Sequence, residues 1–421
     1  MTPADPSDLP PLEDPAPLAI DRAWMTDLLV RMLRTPSPSG RTDAVMQLVG
    51  DTMAEIGLPF ELTRRGAMVA ELPGASSSVD RAVVVHADTI GCMVRALKDN
   101  GRLAIIPIGS FSARFAEGAR VTIFVEDPDR IFSGTVLPLK ASGHAFGDEI
   151  DEQGVGWDHV EVRVDQRAHS AEDLRALGFQ VGDSVALVAS PEITDAGFLV
   201  SRHLDGKAGV AAALAAAKAI VDGGVVPQHK ANLLVTIAEE VGHGASHGLG
   251  DDVAEMVSID NAVCAPGQHS IEHGVTIPMA DMTGPFDYHL TRRLLRLCRN
   301  AGIPHASRHL QVVPLRCGRR PRGRRRHPGG ADRLRARRQP RLGAHGAGLG
   351  RRRRPAADHL AADAADVRLV GRHPARAPEG VPLLGPAGAR GGVGPVASRR
   401  GLSRGGAPGG SPVACRDDHR R

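Results

Sequence analysis

The chain has 421 residues, 42% of them apolar, enough for two or three ordinary domains, and its net charge of +4 hides a division: 311–421 hold 26 Arg, no Lys, 6 Asp and 1 Glu, a net +19, which leaves −15 for 1–310. Residues 1–17 are rich in Pro and Asp without the basic segment and apolar core of a secretion signal, and no run approaches the ~20 apolar residues of a membrane span, so a cytoplasmic protein without a membrane partner is expected. The five cysteines are scattered and form no CxxC, which argues against a disulfide framework and a zinc ribbon.

Ile20, Trp24, Leu28 and Met32 recur every fourth position and predict a helix over 19–34, which Thr35-Pro36-Ser37-Pro38-Ser39-Gly40 breaks. A second helix is predicted from Thr42 to about Gly57, with Val45, Leu48, Val49 and Met53 inward, and β-like runs follow at 60–63, 68–72 and 82–85. From Met93 to about Thr194 short apolar runs (103–108, 121–125, 134–139, 159–164, 184–188) alternate with Gly, Asp and Pro, with one helical stretch near 171–177, which predicts a small β-barrel or sandwich inserted into another domain. An Ala-rich helix over 205–221, strands at 233–237 and 256–259, and a helix over 288–301 with Leu290, Leu294, Leu297 and Cys298 on one side complete the pattern. Helices alternating with buried strands predict an α/β fold, a three-layer α/β/α sandwich whose ligands collect at the carboxyl ends of the strands. The expected division is 1–18 as an arm, 19–92 and 195–306 as a catalytic domain, 93–194 as the β insertion, and 307–421 as a tail.

Chemistry-bearing residues stand where those strands or the following loops open: His86 and Asp88 in His86-Ala87-Asp88-Thr89-Ile90-Gly91, Asp205 before a helix, Glu239-Glu240 after the run 233–235, and Asp260 after Val257-Ser258-Ile259. A buried carboxylate must be paired or bound to a metal, and imidazole with carboxylate suits zinc, cobalt or manganese. Taken singly, Asp205 could be only a helix N-cap and Asp260 only the start of an Asx turn.

The order His-x-Asp-x-x-Gly, Leu-Asp-x-x-Ala-Gly, Glu-Glu-Val-Gly, strand-terminal Asp resembles the dinuclear metallo-aminopeptidases of the glutamyl aminopeptidase and tetrahedral aminopeptidase type. Ser258-Ile259-Asp260-Asn261, Ala265-Pro266-Gly267-Gln268 and the stretch 279–289 resemble the branch associated with the osmoprotectant N-acetylglutaminylglutamine amide. The resemblance implies a zinc-peptidase-like fold, two divalent ions per subunit, a peptide or peptide-like amide as substrate, and a homo-oligomer assembled through the β insertion. It implies that His86 and Asp260 hold one ion, Asp205 bridges, Glu240 holds the second, Glu239 is the general base toward the attacking water, and Asp88 orients His86.

The resemblance also requires a second-ion His near the end of the catalytic domain, and none is found. From Gln311 onward the chain has no Phe, Trp, Tyr, Ile, Met, Thr, Asn or Lys. With permissible codons, a one-base shift turns 308–316 into Asp-Ile-Phe-Arg-Trp-Tyr-Arg-Ser-Asp and the stretch 331–345 into one containing Ala-Ser-His-Gly, placing the missing His across Pro340 and Arg341. The tail is therefore expected to be out of frame and disordered, because so few large apolar groups cannot offset the ordering entropy. Two other readings stand beside the hydrolase: a metal-poor remnant that binds peptide or a sister subunit, and a nucleic-acid arm, against which the lack of Lys and aromatics argues.

Overall fold

A computed structural model describes residues 18–309 apart from 267, 282 and 283. Residues 1–17 and the Arg-rich tail from 310, with its expected disorder, shifted frame and missing His, lie outside the described residues.

A five-stranded sheet anchors the fold. It is built from β1 (Phe60–Leu62), β2 (Met68–Leu72), β3 (Ser76–His86), β12 (His229–Thr236) and β13 (Val253–Ser258), in the order β1-β2-β12-β3-β13. β3 runs parallel to both β12 and β13, while β2 is antiparallel to β12. In the inner strands β3 and β12 the stretches 82–85 and 233–235 are runs of Ala, Val and Leu because both faces are covered, whereas the edge strand β13 is only partly buried. On one face Met68, Ala70, Leu72, Val85, Leu233 and Val235 pack under the helices α1 (Arg22–Arg34), α2 (Asp43–Glu55) and α6 (Leu204–Asp222). On the other, Val84 and Leu234 lie with Ala245 and Leu249 of the loop after β12. That face has no helical layer among the described residues, so the three-layer sandwich expected from the sequence is there reduced to helices, sheet and loop.

α6 is built for close approach, with Gly209, Ala211, Ala213, Ala215 and Ala217 buried along it. Lys207, 1% exposed, donates from Nζ to the carbonyls of Met32 (2.9 Å) and Thr35 (2.8 Å) at the end of α1, where an ammonium complements the helix C-terminus. Burial pulls this ammonium down to about 7.

The small β-barrel expected in the middle of the chain is present. β4 (Gly91–Leu97), β5 (Arg102–Ile108), β6 (Arg120–Phe124), β7 (Ile131–Pro138), β8 (Val160–Val164) and β9 (Ser184–Leu187) close in the order β4-β5-β8-β7-β6-β9 around Val94, Ile105, Ile123, Val136, Val162 and Val185. Its first strand escaped the sequence reading because no turn signal separates Gly91-Cys92-Met93 from the preceding His86 segment.

Beyond β13, β14 (Val275–Asp281), β15 (Gly284–Pro285) and β16 (His305–His309) form a separate three-stranded sheet carrying α7 (Tyr288–Asn300). The inward face of α7 differs from expectation: Thr291, Leu295 and Cys298 are buried and Leu297 is 39% exposed. Thr291 can turn inward because its hydroxyl donates back to the carbonyls of Asp287 and Tyr288. β16 pairs parallel with β14 as far as His309, beyond the division expected at residue 306.

Candidate metal centre

β3 is the strand between β12 and β13, and the carboxyl ends of these three parallel strands converge on one spot. His86 is the last residue of β3 and is 2% exposed. Its Nδ1 lies 3.1 Å from the main-chain carbonyl of Asp88, which can only accept, so a proton is assigned to Nδ1 and Nε2 is the nitrogen free to take either an ion or a second proton. Nε2 faces Asp205 Oδ1 at 3.1 Å and Asp260 Oδ1 at 3.6 Å.

Asp205 reaches this position through an unusual backbone. His203 adopts φ 64°, and Asp205 and Gly206 (φ 73°) are non-helical before α6 continues. A Cβ at Gly206 would lie 2.5 Å from the Cε1, Nδ1 and carbonyl oxygen of His86, so only glycine lets the start of α6 slide under the ring. Asp260 stands just past the end of β13, where Ile259 N–H still bonds Val84. One ligand atom each from His86, Asp205 and Asp260 lies within 4.8 Å of the others. Three electron-pair donors converging this way repel unless a cation lies among them, and one imidazole with two carboxylates fits zinc, cobalt or manganese. The Asp205 carboxylate is 38% exposed and that of Asp260 17%, so the group opens to solvent on one side.

β12 ends at Thr236, so Glu239 and Glu240 lie past the ladder in the following turn. Asp88, fully buried, holds that turn: Oδ1 accepts from the main-chain N–H of Glu239 (3.2 Å), and Oδ2 from that of Glu240 (3.3 Å) and from the Ser39 hydroxyl (2.5 Å). Its carboxylate is 3.5 Å from His86 Nδ1, farther than its carbonyl. Asp88 thus fixes the two glutamates at least as directly as it orients the imidazole. Glu240 Oε1 accepts from the main-chain N–H of Ile90 at 3.1 Å, and Glu240 is not among the three converging ligands. Glu239 lines a cleft of about 20 Å³ with His86, Thr236, Gly244, Ser258 and Asp260. A larger cavity of about 300 Å³, against the end of α1 and β9, is lined by Thr89, His203 and Lys207 beside the centre but by none of His86, Asp88, Asp205, Glu239, Glu240 or Asp260. Sequence reasoning missed Ser39, inside a stretch read only as a helix breaker, and gave Asn261 no role.

An M42 glutamyl aminopeptidase model matches residues 66–313, more than half of the chain. The chain belongs to the M42 glutamyl aminopeptidase family. It is therefore an aminopeptidase-family hydrolase, of a family of metal-dependent peptidases. It is 30% identical over 279 residues to "Putative aminopeptidase YhfE" of Bacillus subtilis (strain 168), covering 66% of this chain and 80% of that protein. Lysyl aminopeptidase of Pyrococcus furiosus is 27% identical over 159 residues, 37% of this chain and 43% of that one. Among solved structures, the TET aminopeptidase of Thaumarchaeota archaeon SCGC AB-539-E09 superposes with a TM-score of 0.61 at 16% identity, over 69% of this chain and 83% of that chain. Pyrococcus horikoshii TET1 peptidase, described as assembling into a tetrahedron or a large octahedral shell, gives 0.60 at 20% identity, over 69% and 85%. These two likenesses concern the fold. No helix among the described residues is long and apolar enough to cross a membrane.

The electrostatics of this M42 centre show how a proton substitutes for an ion. Burial, then the charges of Asp260, Asp205 and Asp88, push the Glu239 carboxyl up to about 7. Burial and Asp205 hold Glu240 well above the carboxylate range, and burial with Asp260 raises Asp205. For His86 burial acts downward, but the bonds to Asp205, Asp260 and Asp88 prevail and lift it well above its usual value. Asp260 is lowered: burial opposes its charge, but its bond to His86 outweighs that. A carboxyl raised by folding gives stability at low pH that is lost as pH climbs from its ordinary 4.5 toward the folded value, here about 7 for Glu239. A raised histidine likewise loses its contribution as pH rises through its folded value. Asp260 acts in the opposite sense only at acid pH, while Lys207 and His203, which burial lowers to about 7 and about 3, gain stability as pH rises and offset part of that loss. The chelated protein should therefore melt lower at about pH 8 than at about pH 5, by ~2–4 °C for each kcal/mol involved, and zinc should restore it at the higher pH. Melting curves of chelated and zinc-loaded protein check this; a flat profile would contradict it.

Proposed function

We propose that this chain is a divalent-metal-dependent aminopeptidase that hydrolyses the N-terminal amide of a short peptide or a peptide-like amide. The observation that carries the reading is the convergence of His86 Nε2, Asp205 Oδ1 and Asp260 Oδ1 beside Glu239 at the mouth of the parallel strands. His86, Asp205 and Asp260 would hold an ion, which when bound polarises the scissile carbonyl and makes a water easier to deprotonate. Glu239 takes the proton of the attacking water and returns it to the leaving amine, a task that its place in the cleft beside His86 and Asp260 allows. Asp88 holds the main chain of Glu239 in reach of that water through the bond to its N–H.

In this reading 19–92 and 195–306 form the catalytic body, and the β insertion over 93–194 pairs subunits. Ile106, Ile131 and Val181, exposed on the barrel, and the shell formed by the Pyrococcus horikoshii relative support that role. A second ion would be held by Asp205 and Glu240 with a His that a one-base frame shift would supply across 340–341. The motifs over 258–289 support a substrate related to the osmoprotectant dipeptide amide. A second reading, a chain that keeps one ion and serves as a binding or assembly subunit, is favoured by one detail: Glu240 Oε1 already accepts from Ile90 N–H.

Release of a chromophore from an aminoacyl chromogenic amide separates the two. Hydrolysis abolished by a chelator and restored by zinc, cobalt or manganese is expected. Hydrolysis indifferent to the chelator would overturn the metal-dependent reading, and zinc uptake with no hydrolysis of any aminoacyl amide would favour the second.

A further inference from the structure

Asn261 touches both carboxylates of the centre. Its side-chain amide donates from Nδ2 to Asp205 Oδ2 at 2.6 Å, and its main-chain N–H donates to Asp260 Oδ1 at 2.7 Å. A carboxylate facing an imidazole can only accept, so it is the NH₂ end of the amide that points at Asp205. The oxygen of Asp205 left over is Oδ1, the one that lies 3.1 Å from His86 Nε2. One residue, held in place by the chain just past Asp260, thus sets the orientation of both acidic groups about the imidazole.

This matters because Asp205 is the least enclosed of the three. Its carboxylate is 38% exposed, against 17% for Asp260 and 3% for the His86 side chain, and it sits on a stretch of non-helical backbone. Nothing in that exposure fixes its rotamer. The Asn261 amide does, and ligands whose outer atoms are hydrogen-bonded lose less freedom when a cation arrives. We propose that Asn261 is a positioning residue of the metal centre, turning Asp205 so that its Oδ1 faces the place shared with His86 and Asp260. The inference rests on the metal-dependent reading above. It assigns a task to a residue that is no ligand itself.

Zinc affinity measured by competition with a chromophoric chelator tests it on the full 421-residue chain. Asn261→Ala is expected to weaken zinc binding by roughly 10–100-fold while the melting temperature of the chelated protein stays unchanged. In the cobalt-loaded protein the same change should alter the visible absorption, because a freed Asp205 no longer meets the ion in one fixed orientation; a purely structural role would leave that spectrum alone. If Asn261→Ala does not fold, Asn261→Ser, which keeps the main-chain donor but cannot span to Asp205, takes its place with the same expectation. Zinc affinity within twofold of the unsubstituted chain, with an unaltered cobalt spectrum, would overturn the inference and leave the aminopeptidase reading standing. Failure of the unsubstituted chain to take up zinc at all would overturn both.

Discussion

A Glu239→Gln chain is expected to hold its ion and lose hydrolysis, with kcat lower by roughly 10²–10⁴-fold, the usual contribution of a general acid–base group. Gln keeps the size and the main-chain bond to Asp88 but cannot accept the water's proton. The three converging ligands do not include Glu239, so zinc content should be unchanged. Rates on an aminoacyl chromogenic amide, measured beside the bound zinc, check both halves. An unchanged rate would remove Glu239 from the chemistry, and a lost ion would make it a ligand instead.

The second large effect is expected at Gly206. Alanine there would place a Cβ 2.5 Å from the imidazole and from the His86 carbonyl oxygen, on a backbone with φ 73°. The backbone alone costs about 1–2 kcal/mol, and the clash must be relieved by moving either β3 or the start of α6. Either shift separates His86 Nε2 from Asp205 Oδ1. Gly206→Ala should therefore lower the melting temperature and weaken zinc binding by at least tenfold, both measurable on the purified chain. Retained zinc affinity would show that His86 and Asp205 need not stay in this register.

Much of this was legible in the sequence because the fold is written in two clear periods. β2 matches the run 68–72 residue for residue, and α5 (Ala171–Ala176) the one helical stretch expected in the insertion, which also holds two short helices, Gly143–Phe146 and Glu149–Glu152, that the sequence reading missed. The order of the site residues was legible too, since His86 ends a strand and Glu239 and Asp260 stand just past the ends of two others. What stayed hidden was geometry that no local pattern encodes. Asp205 was read as a bridging ligand with a helix N-cap as its plain alternative, and what stayed hidden is that Gly206 lets it turn toward a ring 119 residues earlier in the chain. Asp88 looked like a partner of its neighbour His86, yet its carboxylate binds N–H groups 151 and 152 residues away. The rotation of α7 depended on a threonine satisfying its own hydroxyl, which an apolar count reads as a polar position.

Zinc soaked into crystals of the full-length protein and located by its anomalous scattering addresses the central claim most directly. The account predicts a peak among His86 Nε2, Asp205 Oδ1 and Asp260 Oδ1, about 2.0–2.2 Å from each after small adjustments of the side chains. A zinc peak bound elsewhere, with these three side chains still bonded to one another and no density between them, would contradict it.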